Sequence, residues 1–420
     1  MEKIKDILLL QKREIERKFE ERFIERDIDK RKFENDLIKV IIGPRRAGKS
    51  FFGIHFLKEK GDFGYINFED ERIINIKNYD DLINALKIVY RKPKILFFDE
   101  IQNIGNWEIF VNRLQREGFN IILTGSNSKL LGRDLSTHLT GRHISVFVFP
   151  FSFQEFLRIE GKELTTSEIK SKLIQYINFG GFPEPHIKKI DFKDYLSMLF
   201  NSLIYKDIVK RYRIRKPDVI ENLAIYLISN TGKEFSYNTL SKITGARSVH
   251  TIERYIDYLE EGFLIFRVNK FSFKLKQMIT SNKKIYCIDN GFIYTCSLKA
   301  TEDTGFLYEN AVAVELKRYE MEGKIKLYYW KNEKGEEIDF VVRKGTDTIS
   351  LIQVAYEISD IKTKKREIRA LLKGKEELRC ENLIILNNEY KAEEEIKWFG
   401  IKGRVKFIPF WEWFIERNKF

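Results

Sequence analysis

Cysteine is scarce in this 420-residue chain, and the three present, Cys287, Cys296 and Cys380, show neither a CxxC spacing nor histidines in a zinc pattern. That argues against a disulfide framework or a zinc site and for reduced thiols in a cytoplasmic protein. Long apolar runs are missing as well. The stretch from Met1 to Leu10 is too short in apolar residues for a signal peptide, and the longest run, around Ile144 to Phe153, is too short to cross a bilayer. No membrane attachment is expected. What the chain has is 43% hydrophobic and 14% aromatic residues, enough for packed cores, over a length suggesting two or three domains.

A net charge of +13, from 75 Lys+Arg against 62 Asp+Glu, makes a polyanionic partner a reasonable expectation. The first 36 residues do not carry that charge. From Met1 to Asp36 acidic and basic residues interleave in equal number, with Ile15, Phe19 and Phe23 on one side, the pattern of a solvated, ion-paired helix.

The most telling stretch follows it. The apolar run Ile38 to Ile42 feeds into Gly43-Pro44-Arg45-Arg46-Ala47-Gly48-Lys49-Ser50 and then a helix-compatible segment. Glycine, four residues, then Gly-Lys-Ser is the spacing of a phosphate-binding loop. Its backbone N–H groups curl around a β-phosphate, Lys49 meets the β/γ oxygens, Ser50 offers its hydroxyl to Mg²⁺, and the helix N-terminus adds its dipole. The predicted ligands are ATP and Mg²⁺. A second strand, Lys94 to Phe98, ends in Asp99-Glu100. Asp99 is the candidate for the Mg²⁺ shell, and Glu100 for the group that orients and polarises the attacking water. A third strand, Asn120 to Gly125, ends in Ser126 and Asn127, the γ-phosphate sensor candidates, and is expected between the other two.

These segments, with Tyr65 to Arg72, Asp99 to Asn103, Leu139 to Arg142 and Phe149 to Phe156, resemble the archaeal-type P-loop ATPases related to AAA proteins. The similarity runs over nearly the whole chain. It implies an α/β fold: a P-loop NTPase core with a parallel sheet between helices (37–160), a helical lid (161–220), a winged helix (221–295) and an α/β restriction-endonuclease-like domain (296–420). Arg133 and Arg142 are candidates for an arginine finger acting in cis or in trans, Arg142 being favoured because it immediately precedes a strand.

Between Ser152 and Ile220 the pattern is helical, broken at Asn178 to Pro185 by Gly-Gly and two prolines. The strip Tyr205 to Lys216 interleaves basic residues with tyrosines and leans slightly toward phosphate contact. In 221–295, Val249, Ile252, Ile256 and Leu259 recur at helical spacing, leaving Arg247, Ser248, His250, Thr251 and Arg254 on the open face of a helix whose start would meet a major groove. A wing follows, with Lys270, Lys274, Lys276, Lys283 and Lys284 beside Phe271 and Phe273. Asp257, Glu260 and Glu261 would repel DNA, so a protein-docking role has equal weight.

In the last segment, Glu309 and Asp339 match the helix glutamate and strand aspartate of a PD-(D/E)xK site, but Gln353 stands at the second carboxylate position and Ala355 at the lysine position. An amide is a weak ligand for a hard cation and alanine activates no water, so this site reads as kept for binding; rescue by Glu357, Lys364 or Lys365 is not favoured. The expected function is a Mg²⁺-dependent ATPase driving a DNA-binding switch or motor. The alternatives are an ATP-dependent signalling or defence regulator that binds protein and, more weakly, an ATP-regulated nuclease. Partner classes left open are DNA, another protein and further copies of the chain.

Overall fold

Five short strands, β1 (Ile38–Ile42), β2 (Phe63–Asn67), β3 (Ile95–Asp99), β4 (Asn120–Gly125) and β5 (His143–Phe147), form a wholly parallel sheet in the order β2-β3-β4-β1-β5. β4 therefore lies between β1 and β3. Strands of such a sheet are covered on both faces and read as continuous apolar runs. β1 is buried at all five positions, Lys39 included. The Lys39 ammonium reaches Asn120 Oδ1 at 2.8 Å and the Asn35 carbonyl, and burial pushes its pKa down to about 8.

The computed structural model describes residues 2–76, 78–126, 139, 141–246, 248–297 and 304–416. They fall into two units, Met1–Pro150 and Phe151–Phe420. The first contains the parallel sheet and the N-terminal segment, where the structure corrects the sequence reading. The helix Glu2–Lys18 buries Ile7, Leu8, Gln11 and Ile15, and the Gln11 amide both donates to and accepts from the backbone of Asn67 (3.2 and 3.0 Å). One face is built into the core through Ile7, Leu8 and Ile15, and the buried Gln11 amide satisfies the end of β2. Phe19 and Phe23 lie beyond the helix and pack on His55, Phe23 stacked at 4.5 Å.

The second unit is organised by a nine-stranded mixed sheet. Its strands are β6 (Glu234–Phe235), β7 (Ile265–Lys270), β8 (Lys283–Cys287), β9 (Lys326–Lys331), β10 (Glu337–Lys344), β11 (Asp347–Val354), β12 (Leu383–Asn387), β13 (Ala392–Trp398) and β14 (Ile401–Pro409). The order is β13-β14-β12-β11-β10-β9-β7-β8-β6. Residues 221–295 and 296–420 thus share one sheet, joined where β7 pairs in parallel with β9 at Asn269 and Tyr328. The helices Thr166–Phe179, Pro183–Lys188 and Phe192–Ser202 belong to this unit too. Asn290 Nδ2 donates to the Ile177 carbonyl at 2.7 Å, and Phe182 packs edge-on to Phe292. The break between the first two of these helices falls at Gly180–Phe182, and Pro183 opens the next.

Candidate functional site

The loop after β1 owes its shape to two glycines. A Cβ at Gly43 would stand 1.9 Å from the Val148 carbonyl oxygen, and Gly48 has φ +94°, a left-handed conformation that favours glycine. Arg46 adopts φ +65°. The loop opens the helix Lys49–Lys58, so Lys49 and Ser50 sit at its first turn. Lys49 is buried; its Nζ donates to the Pro44 carbonyl at 3.0 Å and lies 3.8 Å from Glu100 Oε1. Arg45 pairs with Glu69 at 3.2 Å.

Parallel pairing of β1 and β3 on either side of β4 brings the second motif to the same end of the strands. Ser50 Oγ donates to Asp99 Oδ1 at 2.6 Å. Three groups to which the sequence alone assigned no role complete the constellation. The Tyr65 hydroxyl donates to Asp99 Oδ2 at 2.9 Å; Thr124 Oγ1 donates to Asp99 and accepts from Glu100 N at 2.9 Å; the Gln102 amide donates to Glu100. Ser126 Oγ also reaches Glu100 Oε2, at 3.0 Å. Glu100 sits at φ +51°, ψ +48°, a left-handed conformation uncommon for a residue with a side chain. The sequence signal for Tyr65 was its place in the segment Tyr65 to Arg72, and for Thr124 its place next to the end of β4.

Two adjacent carboxylates are driven apart in pKa. Burial, and then the charge of Glu100, hold Asp99 above the usual carboxylate range despite its three hydroxyl donors. Burial also works against ionised Glu100, but Lys49 and the Gln102 and Ser126 hydrogen bonds outweigh it and hold its pKa below the ordinary value. The donor set fits a hard divalent cation: a hydroxyl and a carboxylate oxygen already in contact, in a place where a cation would reverse the penalty on Asp99.

Arg26 is a further neighbour of the loop. Its buried guanidinium donates to the Ala47 carbonyl at 3.1 Å and to that of Phe149. Arg142 lies elsewhere. Its carbonyl accepts from Ile38 N at 3.0 Å, at the amino end of β1, whereas the loop leaves the carboxyl end. Within one chain the backbone of Arg142 and the loop thus stand at opposite ends of β1. Asn127, Arg133 and Arg247 lie outside the described residues.

In the second unit, the helix Val249–Glu261 buries Ile252, Ile256 and Leu259, while Val249 is exposed. His250 and Arg254 are exposed and Thr251 half-buried at its start; Lys274 and Lys276 are exposed beyond β7, where a helix, Leu275–Thr280, fills the expected wing. Asp257 and Glu260, expected to repel DNA, are engaged by Arg267. The tyrosines of the basic strip bond acids instead, Tyr205 to Glu221 at 2.7 Å and Tyr212 to Glu261.

Lys284 and Phe271 are corrected most. Both are buried. Lys284 and Tyr286 alternate to the same face of β8, and both reach Glu309 Oε1, at 3.2 and 2.7 Å. Lys284 also meets Glu337 at 2.7 Å and Asp339 at 3.0 Å. Glu309, Asp339 and Gln353 do come together: Asp339 N donates to Gln353 Oε1 at 3.3 Å, beside a register irregularity of β10. Ala355 points into the apolar core, Glu357 is exposed, and Lys364 is taken by Glu394 at 2.7 Å. Among the described residues no helix is long and apolar enough to cross a membrane.

Residues 35–157 match an AAA domain family, and two domains of unknown function, DUF8612 and DUF4143, match 170–303 and 304–412. The uncharacterized protein MJ1544 of Methanocaldococcus jannaschii is 38% identical over 400 residues, covering 90% of this chain and 88% of the relative. An uncharacterized protein of Haemophilus influenzae is 32% identical over 347 residues, with 78% and 84% covered. A solved Walker-type ATPase of Pyrococcus abyssi, PABY2304, is 17% identical with a TM-score of 0.43, over 67% of this chain and 94% of that one. The chain belongs to the same family as MJ1544 and carries an AAA-type P-loop ATPase-like domain at its amino-terminal end.

Proposed function

We propose that this protein is a Mg²⁺-dependent ATPase. The observation that carries the reading is the 2.6 Å contact between Ser50 and Asp99 beside a Glu100 kept ionised by Lys49. Ser50 and Asp99 would hold Mg²⁺, which would supply positive charge for the phosphate oxygens. Backbone N–H groups of 43–48 cradle the phosphates and Lys49 binds their oxygens. Glu100 orients the attacking water and accepts its proton, held in place by Gln102 and Ser126, and Ser126 with Asn127 senses the γ-phosphate. Arg142 serves the site of a neighbouring copy.

The test is ATP turnover by the purified protein alone and with duplex DNA, single-stranded DNA and RNA. Lys49→Ala abolishes useful nucleotide binding. Glu100→Gln retains ATP but loses ~10²-fold or more in turnover. Unchanged turnover in Glu100→Gln removes the assignment. Mixing Arg142→Ala with Lys49→Ala restores part of the activity if Arg142 acts in trans; strictly linear loss removes that role.

The ATPase drives a nucleic-acid-binding second unit, in which 221–295 acts as a winged helix and 296–420 as a nuclease-like domain that binds without cutting. Helix, strand, two helices and a strand pair in that order, with His250, Arg254, Lys274 and Lys276 exposed, support this. A second reading, docking of a protein, is favoured by the exposure of Phe273, Leu275 and Ile279 on the same wing. Turnover stimulated by no nucleic acid, with no salt-sensitive binding, selects it.

A further inference from the structure

Lys284 is 2% exposed, a rare situation for lysine. Its ammonium has three donors, and three carboxylate oxygens surround it: Glu337 Oε1 at 2.7 Å, Asp339 Oδ1 at 3.0 Å and Glu309 Oε1 at 3.2 Å. Burial opposes the charged form, but Glu309, Tyr286, Asp339 and Glu337 hold its pKa well above the usual value, so the ammonium stays charged.

Other polar atoms around it are turned to the protein as well. Asp339 Oδ2 accepts from Val354 N at 3.0 Å, Gln353 Oε1 faces Asp339 N, and Glu337 takes Lys331 at 3.1 Å. Consistently, no group of three or more His, Cys, Asp or Glu among the described residues is set to hold a metal ion. Yet the place is not sealed. A cleft of about 1060 Å³ opens over Glu309, Glu337 and Asp339, with Lys362 and Lys365 among its lining residues. The Glu309, Glu337 and Asp339 side chains keep 19%, 28% and 10% of their surface exposed.

We propose that Lys284 is the resident cation of this pocket: its ammonium takes the position between Glu309, Glu337 and Asp339 that a divalent ion takes in a metal-dependent nuclease. The ammonium thereby offsets part of the charge of the three acids, and Lys331 on Glu337 offsets a further part. The inference deepens the reading of a nuclease-like domain that does not cut, and it can fail separately from it.

The test is Mn²⁺ titration of the full nucleotide-free chain, followed by electron paramagnetic resonance, in an Asp99→Asn background that removes the carboxylate of the phosphate-loop metal site. With Lys284 present no Mn²⁺ site depends on Asp339. Lys284→Met gains one Mn²⁺ site, about tenfold or more tighter than any background binding, which a further Asp339→Asn removes. A folded Lys284→Met protein without that gain overturns the inference. So does Mn²⁺ binding that needs Asp339 while Lys284 is present, a measurement that stands even where Lys284→Met does not fold. DNA cleavage by the wild type that vanishes in Asp339→Ala overturns the non-cutting reading instead.

Discussion

The Tyr65 hydroxyl donates to Asp99 Oδ2 at 2.9 Å while the other oxygen of Asp99 takes Ser50 and Thr124. Tyr65 is a buried donor whose pKa burial, then Asp99, hold well above the ordinary value, so the bond persists across the working pH range. It fixes the carboxylate rather than touching nucleotide. Tyr65→Phe removes about 1.5 kcal/mol of charge-assisted bonding. The expected result is a roughly tenfold rise in the Mg²⁺ concentration for half-maximal turnover, with ATP binding largely kept. An unchanged Mg²⁺ titration would leave Tyr65 only a packing role.

Arg26 bridges the carbonyls of Ala47 and Phe149 from a segment that the charge pattern marked as solvent-facing. Arg26→Met keeps the volume and removes the fork, leaving a loop carbonyl without its charged donor at a cost of about 1.5–3 kcal/mol. The expected outcome is weaker ATP binding by about tenfold or more, together with a lower Tm. Arg26→Lys recovers only part, because an ammonium does not present two parallel donors. ATP affinity equal to wild type in a folded Arg26→Met protein rejects this role.

The first unit was the more legible because its information is local. The ends of β1, β3 and β4 are marked by contiguous residues, and parallel pairing of buried strands assembles them at the same end of the strands. Tyr65, Arg26 and Thr124 carry no such mark, since their roles depend on register and on chain returning from a distance. Lys284 shows the limit most clearly. In sequence it is one more lysine beside Lys283, and only the alternation along β8 separates a solvent-facing lysine from one that meets Glu309. The joining of β7 to β9 was invisible for the same reason, being a pairing between residues nearly sixty apart.

The exposed basic residues of the proposed wing yield a salt-dependence prediction. Phosphate contacts release counterions, so binding to duplex DNA falls with a log–log slope of about −0.9 per contact. Charge reversal at Lys274 and Lys276 flattens the slope and weakens all sequences alike. Arg254→Ala, or Arg247→Ala, relaxes sequence preference by roughly 1–3 kcal/mol where the arginine reads a guanine. Filter-binding or anisotropy titrations across salt concentrations measure both effects. A slope unaltered by the Lys274 and Lys276 reversals takes the wing out of the interface.

Asp289 supplies a pH dependence of stability. Its carboxylate, almost fully buried, caps the helix Asn290–Cys296 through Gly291 N at 2.8 Å and accepts from Gly181 N at 2.8 Å. Burial nevertheless pushes its pKa up from 3.8 to about 6. A group whose folded pKa is raised binds its proton more tightly in the folded state. Its contribution is fully present below the unfolded value, near pH 4, and is lost as pH rises through 6. The difference corresponds to about 3 kcal/mol. Asp289→Asn cannot titrate, and its amide turns a donor toward one of the two backbone N–H groups, so the variant is less stable throughout. Subtracting its unfolding free energies from those of the wild type, measured by denaturant titration from pH 4 to pH 7, isolates the residue. The difference is expected to shrink between pH 4 and 6 and then level off; a difference that grows over that interval means that Asp289 is held ionised by its two backbone donors and Arg318.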